Sequence, residues 1–388
     1  MKKHMPQRWF AWCLLACCGS VCLADEHESP PLGRFPAAGA GVYLTGELVA
    51  MDHVNRRGAL RLIGDGDKSR YHSGPSHEFA MLPYGSIRYR GAPAELRDVP
   101  IGTLLHGRFL TPPPDGSAAL LTETRAKPAP AASPKSAKPA KPTLALSLED
   151  DFSYRMRVGQ AWRIASVDLK AGKLKANTPA TADPGLSGEK VFTIDDSTRI
   201  WKGRELGALS DVKPELAVQL SLTWAPDWQN GEFHIADVWV DEASRNVATE
   251  QQRRIHIRHQ KTRWLAGWVD QVEHGVDGRG IVTVTLFGGM DASLYDEVRA
   301  KKGHGMAVAA GEPTLRTWWH HHDHKWGHVL QLTDLPNPPP GSSGLQLRME
   351  IRELLEGYRP GRIVRLRCHD WPNVKLPPEE RIKSMDER

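Results

Sequence analysis

TGELVAMDHVNRRGALRLI, residues 45–63, sets apolar side chains on alternate positions, breaks at a turn carrying Asp, Asn and Gly, and then resumes the alternation. A period of two turns one face of each run inward, and a turn of this composition between two such runs predicts a β-hairpin. The same pattern returns in AWRIASVDLKAGKLKAN, residues 161–177, and in LAGWVDQVEHGVDGRGIVTVTLF, residues 265–287. The segments downstream of each hairpin decide the fold.

After the first two hairpins come HEFAMLPYGSIRYRG, residues 77–91, and KVFTIDDSTRIWKG, residues 190–203, each a third strand ending in an aromatic, a basic residue and Gly. Short helical segments come next: APAELRDVP (92–100), RELGALSDVKP (204–214) and DASLYDEVRAKKG (291–303). Leu96, Asp98 and Val99 of the first copy align with Leu209, Asp211 and Val212 of the second. Each copy then closes on two more runs: TLLHGRFL (103–110) and ALLTETRA (119–126), AVQLSLTW (217–224) and FHIADVWV (233–240), GMAVAAGE (305–312) and HVLQLTD (328–334). Hairpin, strand, helix, hairpin is the element order of a five-stranded OB-type barrel, in which the helix plugs one open end.

The expectation is a mainly β chain of three tandem OB-like five-stranded β-barrels, each with a short helix between strands three and four. They span residues 41–125, 144–242 and 263–375. The third copy lacks an obvious third strand, and LQLRMEIRELLEGYRPGRIVRLRC, residues 345–368, adds strand–helix–strand material that either replaces it or begins a further unit. Over residues 41–125 and 144–335 the pattern resembles, in outline, the small OB-like barrel repeats of uncharacterised exported bacterial proteins. That resemblance implies a fold and a location, and no catalytic motif comes with it.

RAKPAPAASPKSAKPAKP, residues 125–142, has almost no large apolar side chain with which to offset the entropy of ordering. It reads as an extended linker, residues 126–143, between barrels one and two. Residues 243–262 are rich in helix formers and charge and predict a bridging helix whose Arg and His side chains form a solvated face.

At the N-terminus, Lys2, Lys3 and Arg8 precede an apolar run from Trp9 to Ala24, the layout of a cleaved secretory signal peptide over residues 1–24. Lipoprotein processing at Cys17 is the alternative, giving an anchored rather than a free periplasmic or extracellular protein. No later run approaches the ~20 apolar residues of a membrane helix. Loss of residues 1–24 removes four of five cysteines and leaves Cys368 alone, so stability must come from packed cores rather than disulfides. It also lowers the net charge from +5 to about +2, which argues against a nucleic-acid partner and leaves an envelope polysaccharide or protein.

WWHHHDHKWGH, residues 318–328, falls between strands four and five of the third copy, and the equivalent loop of the second carries Trp224 and Trp228. OB folds contact ligands through this loop, so Trp224, Trp228, Trp318, Trp319 and Trp326 are the candidate ligand-binding residues, stacking on sugar rings. On an extended chain His320, His322 and His324 share a face, and His328 returns on the next strand; with no cofactor certain, these four are the candidate ligands for a borderline ion, Zn or Cu.

Gly64–Phe79 mimics a calcium loop at Asp65, Asp67 and Ser69, but Arg70 and Ser76 stand where glycine and the closing carboxylate belong, so it reads as a turn. No nucleophile elbow or phosphate loop occurs, and the adjacent pairs Asp150/Asp151, Asp195/Asp196 and Glu379/Glu380 read as solvated charge. The functional expectation is a non-enzymatic binding or structural module of the cell envelope. A transition-metal-binding protein is the first alternative, and a hydrolase with a site between barrels is the weaker one.

Overall fold

A computed structural model of the chain describes residues 28–63, 76–113, 143–179, 188–223, 233–310 and 324–372. The expected signal segment and most of the linker lie outside these. The chain is mainly β and forms three small closed barrels.

Barrel one contains β1 (Val42–Asp52), β2 (Arg57–Leu62), β3 (His77–Tyr89), β4 (Ala92–Ala94), β5 (Leu104–Leu110) and β6 (Thr143–Asp150). Neighbours run β2-β1-β5-β6-β3-β4, and a β2–β3 pairing closes the sheet. Of these pairs only β3–β6 is parallel. Barrel two repeats the plan with β7 (Trp162–Asp168), β8 (Lys173–Thr178), β9 (Gly188–Thr193), β10 (Arg199–Lys202), β11 (Glu205–Leu206), β12 (Ala217–Thr223) and β13 (His234–Trp239). Here β9 and β10 share the third-strand place, and both meet the fifth strand, β13, in parallel.

The fifth strand of barrel one corrects the domain boundary. The run expected there, residues 119–126, lies outside the described residues, and β6, assigned from sequence to barrel two, pairs with both β3 and β5. The Pro/Ala/Lys stretch is therefore a connection within barrel one, not a spacer between barrels. The alternation of β6 conceals its role because both of its faces are buried. Ala145 and Leu148 enter the barrel core, while Leu144 and Leu146 pack outward in a second apolar cluster.

The aligned Leu-x-Asp-Val segments do form the same local structure. Leu96–Asp98 and Leu209–Asp211 are single 3-10 turns. Asp98 and Asp211 each accept from the backbone N–H three residues earlier, at 2.9 Å, and Val99 and Val212 are buried. The side chain satisfies an N–H that the turn leaves orphaned.

Barrel three departs from the plan. It comprises β14 (Leu265–His274), β15 (Gly280–Phe287), β16 (Gly305–Ala310), β17 (His324–Asp334), β18 (Ser342–Ile351) and β19 (Ile363–Cys368). The closed order is β14-β15-β18-β17-β16-β19, with six strands and every pairing antiparallel. The expected five strands are corrected to six. The helix, Ala292–Arg299, comes after the second strand rather than the third, and no helix forms between β18 and β19.

A backbone signature shared by all three barrels shows which strands correspond. The first strand carries a bulge, at Leu48/Ala50, Ile164/Ser166 and Val269/Gln271, which bends it enough to pair on both sides. Just before that bulge, Leu48, Ile164 and Val269 donate to Thr103, Leu216 and Arg362 and accept from Gly102, Glu215 and Gly361. Those three donors, Gly102, Glu215 and Gly361, all have positive φ, at 92°, 66° and 78°. By this signature β19 corresponds to β5 and β12, the fourth strands, and β18 takes the third-strand place. The β16–β17 hairpin, expected to supply strands four and five, is instead an insertion that fills the fifth place.

The bridging helix, Glu242–Arg263, forms as expected, but its inward side is not apolar. Ser244, Ala248, Gln252, His256 and Gln260 are the buried residues. A four-residue step overshoots one turn by about 40°, so the stripe winds and meets different neighbours along its length. Gln252 and Gln260 donate to Asp98 and Glu95 of barrel one. Arg253 and Lys261 pair with Asp291 and Glu297 of barrel three. Barrels one and three also meet directly through Leu82, Tyr84, Leu144 and Leu146 against Trp268, Phe287 and Ile363.

Candidate functional site

On the outer wall of barrel three, β16 runs between β17 and β19. Its pairing sets Ala307 between Trp326 and Arg367, and Ala309 between His324 and Arg365. The two alanines leave room above the sheet, and Trp264, the residue after the bridging helix, packs down onto both. Arg367 lies between two indoles, its guanidinium 5.3 Å from the Trp264 ring and 5.4 Å from the Trp326 ring. His324 meets Trp264 edge-on at 5.5 Å, and His369 lies against Trp326 at 5.6 Å.

Trp264 is buried, whereas Trp326 keeps 41% of its surface exposed. An indole this open offers a rigid apolar face against which a flat ligand can bury area. Beside it lies a recess of about 380 Å³ lined by Lys301, His304, Gly305, Trp326, His369 and Asp370, within the ~300–1,000 Å³ range of small-molecule sites. Lys301 pairs with Asp370 at 3.1 Å. The hydrogen bond to Asp370 raises the lysine pKa, and the same bond holds the aspartate below its ordinary value, so both are charged at neutral pH. Gly305 gives the floor. A Cβ placed there would meet nothing closer than 3.6 Å, so its lack of a side chain keeps space open rather than preventing a clash.

Of the residues expected to contact a ligand, Trp326 borders this recess, while the loop joining β16 to β17 lies outside the described residues. The recess sits where Gly305 pairs with His328, at the opposite end from the loop joining β16 to β17. Trp224, Trp228, Trp318, Trp319, His320 and His322 lie outside the described residues. His324 and His328 stand four strand residues apart, about 13 Å, with Trp326 between them on the same face. Among the described residues no three His, Cys, Asp or Glu side chains converge on a metal-sized point. Lys301, His304, His369 and Asp370 were missed because they come from separated segments. The available signal was the RCHDW run, residues 367–371, with its basic, imidazole and carboxylate groups at a strand end.

One arrangement has the order of a hydrolytic relay. Thr45 Oγ1 lies 3.1 Å from His106 Nδ1, and His106 Nε2 lies 3.1 Å from Asp151 Oδ1. The three residues are 9%, 0% and 1% exposed, which gives a substrate no access to Thr45. Asp151 also accepts from Trp162 Nε1 at 2.7 Å and pairs with Arg155. Burial pushes its pKa up, but His106, Arg155 and Trp162 together hold it below the usual carboxylate value. Asp150, by contrast, is raised to about 6 by burial, despite capping Ser153 of the short helix Asp151–Arg157. The expectation that this pair is solvated is thus corrected: both carboxylates are buried, Asp150 accepting from the Arg90 and Ser153 backbone and Asp151 joining His106 of barrel one to Trp162 of barrel two. Asp195 and Asp196 are exposed, as expected.

No protein-family model, curated protein or solved structure matches the chain.

Proposed function

We propose that the chain is a non-catalytic carbohydrate-binding module of the cell envelope, whose sugar ring stacks on Trp326 over the Gly305 floor. The single observation carrying this reading is the exposed, braced indole beside an open recess with polar side chains on its rim. A rigid aromatic platform with a few hydrogen-bonding groups around it suits a ring that is apolar on its face and hydroxylated at its edge. Barrels one and two support an OB-type assignment through their strand order and parallel third–fifth pairing, and OB barrels serve oligosaccharide recognition elsewhere. Export is supported by the Lys2–Arg8 basic stretch and the apolar run to Ala24, and by an inventory that leaves only Cys368 in the folded part.

Isothermal titration with a panel of neutral oligosaccharides and solubilised wall glycans tests this. Binding by the wild type, weakened at least about tenfold in Trp326→Ala and blocked in Gly305→Val, is the expected result. Absence of binding across the panel, or binding indifferent to both substitutions, overturns it.

A further inference from the structure

The recess is not charge-neutral behind its aromatic wall. Arg367 is 7% exposed, and no described carboxylate pairs with it. One of its terminal nitrogens donates to the Trp371 carbonyl at 3.2 Å, and its Nε has no partner. A guanidinium in such a place ordinarily carries an anion, because burying an uncompensated charge is expensive. Two indole faces stabilise the cation in part, and no carboxylate among the described residues cancels its field. Asp370, the carboxylate lining the recess, is already committed to Lys301.

We propose that the pocket selects an acidic sugar, a pyranose bearing a ring carboxylate, held by stacking on Trp326 and by the uncompensated charge of Arg367. The proposal rests on the reading of Trp326 as a sugar platform and adds the ligand's charge. A carboxylate on a ring stacked against the far face of the indole stands on the order of 9 Å from the guanidinium. At an effective dielectric near 20, that separation favours the anion by about twentyfold, which screening at the open face lowers to about tenfold.

The test compares an oligogalacturonate with its methyl ester, which keeps ring and size but removes the charge, by titration calorimetry at low salt. The acid is expected to bind about tenfold tighter than the ester, with the gap closing as ionic strength rises. Arg367→Gln should bring the ratio of acid to ester affinity to about one, a readout that any shared loss of stacking on Trp326 leaves unmoved. Since that substitution alters a buried residue, the salt dependence of the wild type is an independent readout. Equal affinity for acid and ester overturns the charge inference and leaves the sugar reading standing. A preference that survives both high salt and folded Arg367→Gln overturns the role of Arg367. Failure of acid, ester and the whole glycan panel together overturns both proposals.

Discussion

Barrels one and two close with a strand lying parallel to the third; barrel three closes with an inserted hairpin and has no parallel pair. The first strand, its bulge and the left-handed residue that leads into the fourth strand are common to all three. What varies is the element filling the fifth place. In barrels one and two the strand in that place is buried on both faces, whereas in barrel three the outer face of β17 is open at Trp326 and His328. In barrel three the substitute hairpin brings Gly305, Ala307, Trp326 and His328 to the wall, and the candidate site is built on it. Barrels one and two show the scaffold, and barrel three shows how an insertion acquires a recess.

The largest expected effect tests whether β6 completes barrel one. Leu148→Ala should cost about 2–5 kcal/mol in chemical denaturation, with amide protection lost first in β3 and β5. Loss of protection confined to β7 and β12 would restore the boundary expected from sequence.

The next concerns the helix tying barrel three to the others. Burial holds the pKa of His256 at about 4 and that of His259 at about 2, both below the ordinary 6.5. His256 has no hydrogen-bond partner for either ring nitrogen. Both are neutral when folded and take up protons when released, so their contribution is intact above about pH 6.5 and declines as pH falls from there towards 4. Each group alone weakens the fold by about 1.4 kcal/mol per pH unit in that window. Asp150, raised to about 6, acts in the opposite sense and offsets part of the loss. The difference in melting temperature between wild type and His256→Gln, measured from pH 7.5 to 4.5, isolates the histidine; a pH-independent difference would contradict this.

The left-handed position gives two substitutions of opposite sign. At Gly361 a Cβ meets no atom closer than 3.7 Å, so Gly361→Ala should cost about 1–2 kcal/mol from backbone strain alone. Glu215 bears that strain already at φ 66°, and its ion pair with Arg163 is solvent-exposed. Glu215→Gly should therefore stabilise barrel two by roughly 0.5 kcal/mol. Thermal melts of both variants decide it, and a loss of stability in Glu215→Gly would break the equivalence of the three barrels.

Much of this plan is legible in the residues. Alternation gives the hairpins, and the Leu-x-Asp-Val match gives two equivalent turns because a short Asp side chain is what that turn requires. The equivalence of β19 was also written in the chain, as Pro100–Gly102, Pro214–Glu215 and Pro360–Gly361, each a proline leading to a left-handed residue and then a strand. Alternation outweighed it because GMAVAAGE and HVLQLTD look like an ordinary strand pair. The pairing of β6 was not legible, since strand register across a long connection depends on contacts that sequence spacing does not encode. Nor was the burial of Asp151, whose partners His106, Arg155 and Trp162 come together only in three dimensions. Of the candidate site, Trp326 is conspicuous in the chain, but the recess beside it is assembled from Lys301, His304 and His369 on separate segments.

Hydrogen–deuterium exchange of the whole protein with and without a bound glycan tests the central claim most directly. The account predicts new protection in Lys301–Met306, Lys325–His328 and Cys368–Asp370, with barrels one and two unchanged. Protection arising on the outer faces of barrels one or two, and none around Trp326, would contradict it.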